Sequence, residues 1–132
     1  MIALDTNLLV RLLTNDDPRQ AAKVETWLRV HATPQSPAYV DHVVLCELGW
    51  VLERSYGYAR GDVHDALATL LAHEQLKFES PGLIRRALAL YREGPADFSD
   101  YLLAVRAHAA GFSPVLTLDK KAARTATHEL LR

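Results

Sequence analysis

Runs of three or four apolar residues alternate along this chain with longer stretches whose apolar positions recur at helical spacing, and few folds accommodate that alternation. The short runs are residues 2–4, Ala38–Val40, Leu76–Phe78 and 115–118. After the first, Asp5, Thr6 and Asn7 supply helix-capping chemistry ahead of Leu8, Leu9, Leu12 and Leu13. Pro18 opens a second helix that runs to about His31 with Ala21, Val24, Trp27 and Leu28 inward. The turn residues Thr33, Pro34, Gln35, Ser36 and Pro37 precede the second strand, and a third helix spans residues 42–56. Gly61 and Asp62 open a fourth helix, Ser80 and Pro81 a fifth, and Asp97 a sixth that ends near Gly111. Residues 120–127 predict one more helix, and residues 128–131 a final edge strand. Strands this short and apolar, separated by amphipathic helices, predict an α/β sandwich around a mostly parallel sheet in one domain, residues 1–132. Such sheets bind ligands beyond the carboxyl ends of their strands.

Charge narrows the function. With 15 Lys and Arg against 16 Asp and Glu the net charge is -1, so polyanions are not held by bulk attraction and any such binding is local. One cysteine, Cys46, cannot form an intramolecular disulfide, which agrees with a reducing cytoplasm. No basic leader opens the chain and no apolar run approaches the roughly 20 residues of a membrane span, so a cytoplasmic protein without a membrane is expected. The histidines include no pair at metal-ligand spacing, and they read as surface or satisfied residues. Acyl-transfer elbows, phosphate-binding glycine loops and dinucleotide fingerprints are missing.

The acids carry the remaining signal. Glu47 has Val43, Val44, Trp50 and Val51 as helical neighbours, so it reads as a carboxylate interrupting a buried stripe, matched either by an arginine or by a cation. Asp5 and Asp119 each follow a strand directly, where helix capping and ligand binding explain them equally well. Asp97 and Asp100 stand three apart at a helix start, a relative of the capping box, with Asp100 facing Leu103 and Ala104. Gathered together, Asp5, Glu47, Asp100 and Asp119 form an all-oxygen set suited to Mg²⁺ or Mn²⁺ and to phosphodiester hydrolysis. Arg11, Lys120, Lys121 and Arg124 are candidate RNA contacts, although a solvated helix face explains each of them. Thr6, Asn7, Ser99 and Thr117 suit the orientation of carboxylates, or plain capping and turn roles.

These residues also resemble a family, the PIN-domain ribonucleases, and within it the VapC-like toxins of toxin–antitoxin pairs. The likeness rests on Met1-Ile2-Ala3-Leu4-Asp5-Thr6-Asn7, Glu47 in a mid-chain helix, Ala96-Asp97-Phe98-Ser99-Asp100-Tyr101-Leu102-Leu103, and Thr117-Leu118-Asp119-Lys120-Lys121. It places the family's acids on Asp5, Glu47, Asp100 and Asp119, with Asp97 as an additional metal or water ligand. It implies a metal-dependent endoribonuclease, a three-layer α/β/α sandwich around about five parallel strands, a homodimer, and a cognate antitoxin covering the acidic cleft. Two other readings stay open: a non-catalytic RNA- or protein-binding module whose acids are caps and buried pairs, and a phosphatase with Asp5 as nucleophile. The second would want an acid where Asn7 stands.

Overall fold

Asp5 does cap a helix: its Oδ1 accepts from Thr6 N at 2.7 Å, and α1 (Thr6–Leu13) follows in the computed structural model of the protein, which describes residues 2–132. The described residues form two units, one ending at Glu79 and one running from Ser80 to Arg132.

In the first unit α2 (Pro18–His31) begins at its proline, with the Asp17 side chain accepting from Gln20 N at 3.1 Å. Then come β1 (Ala38–Val40), α3 (His42–Arg54), α4 (Arg60–Leu71) and β2 (Leu76–Phe78). β1 and β2 pair in parallel, Ala38 opposite Leu76 and Val40 opposite Phe78. The strand expected at residues 2–4 is reduced to one parallel bridge, Ala3 with Tyr39, carried by Tyr39 N donating to Ile2 O and Leu4 N donating to Tyr39 O, both at 2.8 Å. Helix α1 packs on α2 and α3, and α3 on α4. Leu9, Leu28, Leu45, Leu48, Leu52 and Leu67 are buried in this unit, each worth about 1.5–3 kcal/mol.

The buried face of α3 differs from the expected one. Leu45, Leu48, Gly49 and Leu52 face inward, whereas Val43 and Trp50 are 67% and 41% exposed. Apolar residues occur nearly all round this helix, so periodicity alone selects no face.

A polar cluster ties the α1–α2 turn to the end of α3. Asp16 accepts from the Tyr56 hydroxyl and from Thr14 Oγ1 at 2.9 Å, and Arg11 Nη1 lies 3.4 Å from Asp16 Oδ1. Hydrogen bonds from Tyr56 and Thr14, together with the Arg11 charge, hold the Asp16 carboxyl below its ordinary value of 3.8 against an opposing desolvation. A carboxyl lowered in the folded state stabilises above its unfolded value, and that contribution disappears as pH falls through the folded value. Asp16→Asn should therefore melt earlier than the unsubstituted protein at pH 7, and the two should converge as the pH falls well below 3.8. Thermal melts across pH check this, and a gap that persists unchanged in acid would refute it.

The second unit holds α5 (Pro81–Glu93), α6 (Phe98–Ala109), β3 (Val115–Thr117), a 3₁₀ turn (Ala122–Arg124) and β4 (His128–Leu130). Helices α5 and α6 pack on each other, with Tyr91 and Phe98 edge to face at 6.1 Å and 83°. β3 and β4 pair in parallel, Val115 opposite His128, so the expected final strand forms. The helix expected over residues 120–127 contracts to the 3₁₀ turn. Thr125 Oγ1 donates to Ala122 O at 2.7 Å, taking up a carbonyl that a continuing helix would use, and Thr127 O is engaged by Val115 N at 3.0 Å. Across the described residues the strands make an α/β chain with two parallel pairs.

Candidate active site

In the first unit Asp5 sits exposed immediately after the parallel bridge at Ala3, where an open sheet positions ligand-binding groups. An ordinary N-cap carboxylate bonds the second or third amide of its helix; this one bonds the first, and its other oxygen has no protein partner among the described residues. Thr6 was expected to orient the acid through its hydroxyl. Instead the Thr6 amide does so, while Oγ1, on a residue only 1% exposed, has no partner. Asn7 is exposed and lines a groove beside α1.

Glu47 corrects the expectation of a buried acid. It lies on the outer face of α3, exposed, and forms no hydrogen bond or ion pair among the described residues. It therefore needs no arginine to offset desolvation, and both its oxygens are accessible. Arg11 is corrected in the opposite direction. Its guanidinium donates to Gln20 Oε1 and to the Tyr56 hydroxyl and pairs with Asp16, so it is held by the fold rather than free for a phosphate.

In the second unit Asp97 is the N-cap of α6, and Asp100 Oδ2 accepts from Asp97 N at 3.1 Å, the returning half of a capping box. Both acids and Ser99 between them are half-buried. Lys121 links this pair to the third acid. Its ammonium lies 3.7 Å from Asp97 Oδ1, and its amide donates to Asp119 Oδ1 at 2.9 Å. Thr117 Oγ1 accepts from Asp119 N at 3.0 Å, so it fixes the backbone at that acid rather than its carboxylate. Lys120 and Arg124 are exposed on the same segment. Repulsion between the acids of this unit is thus offset in part by a lysine. Among the described residues no group of three or more acids, histidines and cysteines stands close enough together to hold a metal ion.

Two of the histidines, read from the sequence as surface or satisfied residues, are buried. His42, 2% exposed, donates from Nε2 to Glu79 O at 2.7 Å, and its amide donates to Glu79 Oε1 at 2.9 Å. His128 bonds Thr127 Oγ1 through Nδ1 at 2.9 Å, while its Nε2 has no partner. Tyr56, which holds both Arg11 and Asp16, was also missed: it lies 45 residues from Arg11, and no local pattern marks it.

Short parallel strands between amphipathic helices, with an acid at the end of the first segment and an acid pair opening α6, match a known class of protein. The chain belongs to the PIN-domain family, whose pattern matches residues 2–127. It is also similar to the VapC ribonuclease of Aquifex aeolicus (strain VF5), 26% identical over 121 residues that cover 92% of this chain and 89% of that protein. Among the described residues no helix is long and apolar enough to cross a membrane.

Proposed function

We propose that this protein is a metal-dependent endoribonuclease that hydrolyses RNA phosphodiester bonds and serves as the toxin of a toxin–antitoxin pair. The observation that carries this reading is the PIN-domain match, whose span of residues 2–127 takes in all five acids. The similarity to a VapC ribonuclease over most of both chains supports the same substrate class. The proposal includes a three-layer α/β/α sandwich with about five parallel strands in one domain over residues 1–132, a homodimer, a cognate antitoxin and a cytoplasmic location.

The donor chemistry fits a hard divalent cation, Mg²⁺ or Mn²⁺, because carboxylate oxygens and not nitrogen or sulfur are on offer. Asp5 in the first unit and Asp97, Asp100 and Asp119 in the second are the residues we assign as candidate metal ligands, each taken singly. When bound, the cation supplies positive charge to the scissile phosphate and lowers the pKa of water. Glu47, accessible and unpartnered among the described residues, takes the proton released as water attacks. Thr117 holds the backbone at Asp119, Lys121 neutralises part of the charge on Asp97, and Lys120 is left to meet the RNA backbone.

A second reading has specific support: Asp5 caps α1, and Asp97 with Asp100 forms a capping box, which are the roles these acids would keep in a non-catalytic binding module. The two diverge in a cleavage assay. Single-stranded or structured RNA should be cut with Mg²⁺ or Mn²⁺ and left intact in excess chelator. Full cleavage in chelator would refute the metal requirement, and no cleavage under either condition would favour the binding module.

A further inference from the structure

The groove that Asn7 lines lies against α1 and α2, encloses about 530 Å³, and plays no part in the chemistry above. Its size falls in the ~300–1,000 Å³ range of small-ligand sites. Leu4, Leu8, Val24 and Trp27 form its apolar walls, Asn7 and Lys23 stand on its polar side, and no carboxylate lines it among the described residues. Lys23, Trp27 and His31 follow each other at four-residue spacing on one face of α2. The Trp27 indole stacks on the His31 imidazole, centroids 5.1 Å apart and planes 19° from parallel, so one face of the indole rests on a neighbouring ring. Lys23 is exposed and makes no ion pair among the described residues. Arg11 also lines the groove, but Asp16 already holds it.

We propose that this groove receives one base of a single-stranded RNA, with the Trp27 indole against the base and the Lys23 ammonium on an adjoining phosphate. A flat aromatic surface next to an unpaired cation is how single strands are held without sequence-reading hydrogen bonds. Aliphatic walls suit the faces of a base, and the lack of carboxylates suits the phosphate that comes with it. Asn7, which lines the groove, stands two residues along the chain from Asp5, an acid assigned to cleavage. The inference rests on the ribonuclease reading and adds to it a subsite for a nucleotide flanking the cut.

The chain has two tryptophans, Trp27 and Trp50, so Trp50→Phe leaves Trp27 as the only indole. In an Asp5→Asn, Trp50→Phe protein, which keeps the strand intact, ten-nucleotide oligoadenylate should quench Trp27 emission saturably, and an abasic strand of the same length should not. By anisotropy of a labelled strand, Trp27→Ala should weaken binding roughly 5- to 150-fold, with Trp27→Phe recovering most of the loss. Lys23→Gln should lower the slope of log K against log salt by about 0.7. RNA bound by the Asp5→Asn, Trp50→Phe protein with Trp27 emission unchanged, and cut by the unsubstituted protein, would overturn the inference alone and leave the groove to a protein segment. Equal quenching by the abasic strand would overturn it too. Failure of the unsubstituted protein both to bind and to cut RNA with metal would overturn the ribonuclease reading itself.

Discussion

Asp5→Asn should lose RNA cleavage while keeping the fold. Asparagine is as good an N-cap as aspartate, and its side-chain oxygen can still accept from the Thr6 amide, so helix α1 should lose little stability. What changes is charge. On the proposed reading the Asp5 oxygen left without a protein partner would be a negative donor to a cation, and an amide oxygen would replace it with a neutral one. The expected fall is about 10²- to 10³-fold, the scale seen when one charge-stabilising group is removed from an active site. Initial rates with Mg²⁺, together with thermal melts of both proteins, test it. Cleavage within a few-fold of the unsubstituted rate would remove Asp5 from the catalytic set. If RNA affinity and indifference to metal were retained without any cleavage by either protein, the acid would be only a cap.

How much of this was legible in the sequence depended on how local each determinant is. Pro18, Asp17 and Pro81 act on their own helix starts, although Ser80 makes no side-chain cap bond, and α2, β1 and β2 fall where the chain predicts them. The capping relation of Asp97 and Asp100 is equally local and was readable from a three-residue spacing. The face of α3 was not. A helix apolar on nearly every side offers more than one stripe to read, and the choice between the Glu47 stripe and the Leu45, Leu48 and Leu52 stripe is made by neighbouring helices distant in sequence. Arg11 shows the same limit from the polar side. Its freedom to bind phosphate depends on Asp16 and on Tyr56, which stands 45 residues away just beyond α3. Lys121 was seen as a basic group following Asp119, but its pairing with Asp97 needed the turn that brings the 3₁₀ segment back.

Gly94→Ala should be the most damaging single methyl in the second unit. Gly94 ends α5 with φ -103° and ψ 170°, an extended conformation open to any residue, so its backbone angles do not call for glycine. Space does. A β-carbon built there would fall inside the Tyr101 hydroxyl and ring, and 3.2 Å from Leu90 O. Tyr101 is only 2% exposed on α6, and its hydroxyl accepts from Ala96 N at 3.4 Å, so it has little room to swing aside. Overpacking of this kind costs about 1–3 kcal/mol, and this clash is with a buried ring. A loss of at least ~2 kcal/mol in chemical denaturation is the expected result, and a melting curve unchanged within error would refute the steric account. The consequence should extend to chemistry, because Tyr101 is the residue after Asp100 in the first turn of α6. A tyrosine pushed out of place tilts that turn and with it the bond from Asp97 N to Asp100 Oδ2. Cleavage should therefore fall in Gly94→Ala even at temperatures where the protein remains folded, and Gly94→Ala with Tyr101→Phe, which removes the nearest clashing atom, should recover part of both losses.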